Sequence, residues 1–424
     1  MDKLVINGGD RLFGTISVSG SKNAVLPIMA ATLIEPGLYQ LENVPNLKDT
    51  RTMIRLLEMI GAKVEFANNK LLIDSRKCNN PIAPYDLVKT MRASFYVLGP
   101  LLSRFKEATV SLPGGCAWGP RPVDYHLKAL EEMGGKVSLD YGNIVIKGDL
   151  KGSKIKFKKI SVGATGNVIM AAVKAKGTTE IHNASMEPEI ANLVTFLNDL
   201  GADIVSYPES NLYIINGVKR LLNSSTCKII PDRIEAGTYM IAVAFVGGEV
   251  TVKNICSDHL RDVIEKIRLS GADVSILKSD KKSNDSLIIK SSSKIVPVDM
   301  STSEYPGFPT DLQAQWMALM TLCSGDACIV DNIYKDRFTH IAELKRFGAK
   351  ISLNENKALV TGVDELQPAP VMSTDIRASA SLVIAALKAS GKSEISRIYH
   401  LDRGYENIVN KLNSIGANIK RVDD

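Results

Sequence analysis

Histidine is scarce in this chain, and none of its five copies forms an HxxH or HExxH pair, so nothing in the pattern indicates a metal site. The six cysteines, at 78, 116, 227, 256, 323 and 328, include no CxxC and follow no framework spacing. That usage excludes a disulfide scaffold and leads us to expect a reducing, cytoplasmic compartment. No apolar run approaches the roughly 20 residues of a membrane span. The opening residues Met1-Asp2-Lys3-Leu4-Val5-Ile6 read as a short strand, not as a basic and then apolar secretory signal. A strong charge of one sign is missing too: a net +6 over 424 residues is mild and fits an anionic ligand. What remains, 45% hydrophobic and 23% charged residues, is ordinary globular composition at a length that predicts two or three domains.

A weak signature recurs along the chain: an apolar helical pattern, a glycine, a small residue or Asn, then a strand. It reads Leu57-Glu58-Met59-Ile60-Gly61-Ala62-Lys63-Val64 at its first appearance and Leu412-Asn413-Ser414-Ile415-Gly416-Ala417-Asn418-Ile419 at its last. The glycines are 61, 134, 201, 271, 348 and 416, at intervals of 73, 67, 70, 77 and 68 residues. A helix C-cap glycine followed by a strand returning to a sheet accounts for the pattern. Upstream of each glycine lies an Ala-rich helix that is apolar nearly all round, in 23–31, 93–102, 166–173, 236–246, 312–322 and 378–387. Such helices belong inside a domain. One repeat thus reads as strand, buried helix, strand, outer helix and hairpin, and six α/β units of about 70 residues divide into two domains of three.

The helix starts carry the chemistry. Buried helices open with Ser21-Lys22-Asn23, Met91-Arg92, Ser161-Val162-Gly163-Ala164-Thr165, Pro231-Asp232-Arg233, Pro309-Thr310-Asp311 and Thr374-Asp375-Ile376-Arg377. Outer helices are expected to open near Arg121, Arg337 and Arg403, with Asp124, Asp336 and Asp402 close by. Cations at helix N-termini oppose the macrodipole. A recurring set of them implies either an anion bound against the helix starts or separate surface ion pairs with the neighbouring aspartates. The loop 111–124 holds a single thiol, Cys116, among three glycines and three prolines. It reads either as a surface Ω-loop with an incidental cysteine or as a rigid turn presenting a reactive thiol beside Arg121.

These segments, in order and over the whole chain, are similar to the motifs of the UDP-N-acetylglucosamine 1-carboxyvinyltransferases, a family of enolpyruvyl transferases. The likeness rests on Ser21-Lys22-Asn23-Ala24, Met91-Arg92-Ala93-Ser94, the loop 112–124, Ser161-Val162-Gly163-Ala164-Thr165 and Pro231-Asp232-Arg233-Ile234-Glu235. It rests equally on Phe308-Pro309-Thr310-Asp311, Thr374-Asp375-Ile376-Arg377-Ala378-Ser379 and Tyr399-His400-Leu401-Asp402-Arg403-Gly404-Tyr405. The resemblance implies an inverse α/β barrel pair: residues 1–21 with 230–424 as the C-terminal catalytic domain, and 22–229 as an N-terminal domain carrying the Cys116 loop. It also implies an active site between the domains, no cofactor, and a cell-wall role at the first committed step of peptidoglycan synthesis, hence in cell shape and division.

Enolpyruvyl transfer needs a proton for C3 of phosphoenolpyruvate, a base for the attacking hydroxyl, and cations for a phosphate and a carboxylate. By resemblance Cys116 is the acid, able to form a covalent adduct and to be alkylated by a fosfomycin-type inhibitor. Asp311 matches the general base toward the 3'-hydroxyl of UDP-N-acetylglucosamine, although from the residues alone it also reads as an N-cap after Thr310. Lys22, Arg121 and Arg403 match the groups that grip the phosphate of phosphoenolpyruvate, with Arg337 and Arg377 lining the site. Asp375 either holds one of these cations or takes part in proton transfer. The nucleotide sugar is expected along Asn23, Arg92, Arg121, Pro122, Val123, Asp124, Tyr125, Lys159, Ser161, Val162, Gly163, Asp311 and Ile333. Trp118, Pro120 and Tyr125 depart from the family's usual residues, and Trp118 is expected to anchor the closed loop.

Two other readings are open. The shikimate-pathway enolpyruvyl transferases share the fold but lack this Cys loop. A six-repeat ring binding nucleic acid would spread its basic residues along one inner surface. Here they gather at helix starts beside aspartates, which favours small anionic substrates, with neither nucleic acid nor membrane as partner.

Overall fold

The structure, a computed structural model, describes residues 2–112, 123–280 and 284–423. It comprises two compact units, Met1–Ser19 with Pro231–Asp424, and Gly20–Ile230. Each has its own apolar core.

Among the described residues there are six four-stranded sheets, and all share one pairing pattern, a parallel pair followed by two antiparallel pairings. In one of them Lys154–Lys156 runs parallel to Thr178–His182, which is followed across the sheet by antiparallel Leu212–Asn216 and Asp203–Tyr207. A parallel pair requires a crossover, here the helix Val162–Ala172, whereas the last two strands are joined as a hairpin. This is the strand, buried helix, strand, outer helix and hairpin of the sequence pattern. The buried helices of a unit pack on one another, and all fourteen residues of Arg233–Val246 are buried. The strands alternate, as in Lys357–Thr361, where Ala358 and Val360 face the core and their neighbours face outward. Among the described residues no helix is long and apolar enough to cross a membrane.

Three repeats are completed by distant segments. Leu12–Ser17 lies parallel to Gly248–Ile255, and Ser224–Lys228 lies parallel to Leu38–Glu42. Lys3–Gly8 inserts between Gly391–Ser396 and Asn418–Val422. The chain therefore starts in one unit, leaves after Ser19 and returns at Pro231.

The six signature glycines all adopt the left-handed conformation, with φ between 88° and 108°. At the first, the Gly61 N–H donates to Glu58 O (3.0 Å) and the Ala62 N–H to Leu57 O (2.9 Å), closing the helix so that the next strand can turn back. A side chain at that φ is strained, which is why glycine recurs at this point of each repeat.

Where the chain leaves the first unit, a buried carboxylate holds it. Glu235 accepts from the Ser19 N–H (2.7 Å), Tyr239 Oη (2.7 Å) and Lys411 Nζ (2.6 Å). Burial pushes its carboxyl up, and Lys411 only partly offsets that. Replacing Lys411 by Met should destabilise the protein by about 3–5 kcal/mol at neutral pH, because an unpaired charge is left inside. An acid whose folded pKa is raised binds its proton more readily in the folded state, so the deficit should shrink on acidification. Urea unfolding of wild type and Lys411→Met at two pH values checks both.

Candidate active site

In the unit Gly20–Ile230, Lys22 is the first residue of the helix Lys22–Ala31. Its Nζ lies 2.7 Å from Asp49 Oδ2, and both side chains are nearly buried. The carboxylate offsets the repulsion between a lysine and the positive end of its own helix. Asn23 follows, half-buried. Arg92 opens a 3-10 stretch, Arg92–Val97, ahead of the helix Leu98–Phe105; the single helix expected over 93–102 is thus broken in two. Val123 and exposed Asp124 start the helix Asp124–Glu132, and the Tyr125 ring packs against Phe157. Lys159 is exposed just before Ser161, whose Oγ accepts from the Ala164 N–H (3.3 Å) and caps the helix Val162–Ala172. The first N–H groups of a helix have no acceptor within it, and those of Val162 and Gly163 are in that position. Cys116, Arg121 and Pro122 lie outside the described residues, as do Trp118 and Pro120.

The other unit gathers three of the expected residues into one cluster. Asp311 receives Arg337 Nη1 at 2.7 Å on Oδ1 and Arg377 Nη2 at 2.8 Å on Oδ2. It sits in the 3-10 turn Thr310–Leu312, and its carboxylate caps no helix, so the N-cap reading does not hold. Burial acts to raise its pKa, but the charges of Arg377 and Arg337 and their hydrogen bonds outweigh this and hold the carboxyl far below the usual range. Asp375 is the true cap: it accepts from the N–H groups of Arg377 (2.8 Å) and Ala378 (3.2 Å) at the start of Ile376–Lys388. Arg337 is buried, which lowers its pKa, yet Asp311 and Asp375 together shift it upward. The ion pairs are thus inside and link distant residues, unlike surface pairs between sequence neighbours.

Arg337 precedes the helix His340–Arg346 by three residues. Arg403 is the last residue of the 3-10 stretch Ile398–Arg403 and opens no helix; the next begins at Ile408. Its neighbour Asp402 pairs with Arg421. Half-buried Ile333 donates its N–H to Asp331 Oδ1 (3.0 Å).

Asp331 is one of several residues that the sequence pattern did not single out. Fully buried, it also accepts from Thr302 Oγ1 (2.8 Å), the Tyr334 N–H (2.9 Å) and Thr310 Oγ1 (2.7 Å). Thr310 Oγ1 in turn accepts from Arg337 Nη1 (3.1 Å), so Asp331 ties together the two separate segments that carry Asp311 and Ile333. Behind Asp311, Gln315 Nε2 donates to its main-chain carbonyl (3.0 Å) and to Tyr405 Oη (3.1 Å), and the Arg377 guanidinium lies over the Tyr405 ring. An acid directly after a strand was the available signal for Asp331; Asp49 and Gln315 carried none.

A family model for EPSP synthase (3-phosphoshikimate 1-carboxyvinyltransferase) matches residues 6–412. The chain belongs to this family of enolpyruvyl transferases. Within the family, the chain is 50% identical to the UDP-N-acetylglucosamine 1-carboxyvinyltransferase of Chlorobaculum parvum, over 99% of this chain and 98% of the relative. It is 48% identical to the enzyme of that name from Geobacter metallireducens, with both chains covered in full. Among solved structures, the enolpyruvyl transferase NikO from Streptomyces tendae matches with a TM-score of 0.88 at 23% identity over 99% of each chain. EPSP synthase from Acinetobacter baumannii matches at 0.79 and 18%, both chains covered in full. The last two likenesses are ones of fold, the inverse α/β barrel of the enolpyruvyl transferases, with helices inside and sheets outside.

Proposed function

We propose that this transferase moves the enolpyruvyl group of phosphoenolpyruvate to the 3'-hydroxyl of UDP-N-acetylglucosamine and releases phosphate, in peptidoglycan synthesis. The observation that carries the reading is the 48–50% identity, over essentially full length, to enzymes named for that acceptor. The shikimate alternative is supported only at the level of family and fold. A nucleic-acid ring is disfavoured because Lys22, Arg337 and Arg377 are buried and paired with carboxylates instead of lining an open surface.

In the proposed reaction the Cys116 thiol protonates C3 of phosphoenolpyruvate, leaving C2 electrophilic. The 3'-oxygen attacks C2 while Asp311 takes the hydroxyl proton. A C3 proton then returns to the Cys116 thiolate as phosphate departs with the proton held by Asp311, which restores the double bond and both side chains. Lys22, Arg121 and Arg403 hold the phosphate, and Arg337 and Arg377 take the carboxylate as planar, bidentate donors. A carboxylate clamped by two arginines is a weak base. An anion arriving at Arg337 and Arg377 competes with Asp311 for them, so substrate binding itself raises the basicity of Asp311. Asn23, Arg92, 121–125, Lys159, 161–163, Asp311 and Ile333 hold the nucleotide sugar. The reaction belongs to the cytoplasmic stage of wall synthesis, in support of cell shape and division, and a fosfomycin-type epoxide alkylates Cys116.

Phosphate release from phosphoenolpyruvate, measured with UDP-N-acetylglucosamine, with shikimate 3-phosphate and with neither, tests this. Release is expected only with the nucleotide sugar. Release with shikimate 3-phosphate instead moves the assignment to the sister enzyme.

A further inference from the structure

The three elements assigned above to the nucleotide sugar in one unit, the stretch opened by Arg92, the helix Asp124–Glu132 and the helix Val162–Ala172, meet at one buried amide. Asn167 is fully buried in the last of them. Its Oδ1 accepts from the Gly99 N–H (2.8 Å), and its Nδ2 donates to the Phe95 carbonyl (3.0 Å) and meets His126 Nδ1 at 2.9 Å. The backbone partners fix the amide's orientation, because an N–H must face its oxygen and a carbonyl must face its nitrogen. Its second amide hydrogen is therefore spent on His126 Nδ1, which must be the unprotonated nitrogen. The ring proton then sits on Nε2. That edge of the ring packs against the helix start: a Cβ built on Gly163 would lie 3.3 Å from His126 Nε2 and Cε1. The ring also meets Phe95 edge-on, with centroids 4.9 Å apart.

We propose that Asn167 is a positioning residue for the nucleotide sugar: it ties Arg92, the 123–125 turn and the 161–163 helix start into one rigid cradle and sets His126 as the Nε2–H tautomer facing Gly163. The inference rests on the nucleotide-sugar reading of those three elements. The chemistry is consistent with it. An imidazolium beside Arg92 and the positive end of a helix would be repelled, and burial followed by the Arg92 charge holds His126 neutral, with its pKa lowered to about 3. The neutral ring leaves a donor beside a helix start whose N–H groups the proposed function assigns to an anionic part of the nucleotide sugar. Sequence position gave no hint of this, since Asn167 lies on a helix that is apolar nearly all round, and its three partners come from 95, 99 and 126.

Three measurements test it. In wild type, nitrogen shifts of the His126 ring should report the Nε2–H tautomer; an Nδ1–H tautomer overturns the proposal without any variant. Asn167→Leu keeps the volume and removes all three bonds. It should raise KM for UDP-N-acetylglucosamine at least tenfold while kcat and KM for phosphoenolpyruvate stay within threefold. An unchanged KM, or all three constants failing together, overturns a specific positioning role. If Asn167→Leu does not fold, Asn167→Asp replaces the amide donor with an acceptor, and the ring proton should move to Nδ1 with the same one-sided loss of nucleotide-sugar affinity. Calorimetry of wild type with UDP-N-acetylglucosamine separates the failures: no binding there sinks the functional reading, whereas normal binding in wild type and in both variants sinks only the cradle.

Discussion

Asp311→Asn is expected to lower kcat by about 10²–10⁴-fold, the span typical of a lost general base. The substitution keeps the shape but removes the proton acceptor and the charge that now faces Arg337 and Arg377 at 2.7 and 2.8 Å. It therefore leaves two buried cations short of a partner, and the variant should also melt lower than wild type. These consequences separate with added inorganic phosphate. An anion that binds the freed arginines in the folded state raises stability by mass action, so phosphate should restore the melting temperature of Asp311→Asn more than it moves that of wild type. It should not restore turnover. A variant with near-normal kcat would remove Asp311 from proton transfer and leave it as a structural counter-ion of the two arginines. One whose stability ignores phosphate would show that the arginine pair is not an anion site.

Cys116→Ser is expected to reduce transfer by a similar factor of about 10²–10⁴, because a hydroxyl does not give up its proton near neutral pH as a thiol does. Cys116→Asp should retain transfer, since a carboxyl can also deliver a proton, while inactivation by fosfomycin disappears because the nucleophile is gone. Time-dependent inactivation that persists in Cys116→Asp would place the alkylated group elsewhere. Equal activity in Cys116→Ser and wild type would return the loop to its reading as a surface turn with an incidental cysteine.

The six-fold repeat was legible because a helix-ending glycine is a local requirement: a left-handed φ is strained for any residue with a Cβ, so residues 61, 134, 201, 271, 348 and 416 announce themselves in one dimension. Burial of the Ala-rich helices was legible for the same kind of reason, since a helix with no polar face has only an interior to occupy. The cations at helix starts were visible in part, for Arg403 opens no helix, and Arg337 and Arg377 do meet Asp311. Their identity as buried, long-range pairs was not visible, because 66 residues separate Asp311 from Arg377 and no local preference encodes that meeting.

Sequence by itself determined the class of fold, the number of repeats, the mild charge balance and, through the order of its motifs, the family. Each of these is written in residue type and spacing. Tertiary structure alone decided which residues share a site and in what state. It put Asp49 against Lys22, made Asp375 a helix cap and Asp311 a clamped anion, and joined the strand Leu12–Ser17 to Gly248–Ile255. It also chose the His126 tautomer through Asn167. The physical reason is common to all of them: charge and hydrogen-bond energies depend on distance and burial in space, and only the folded chain sets those.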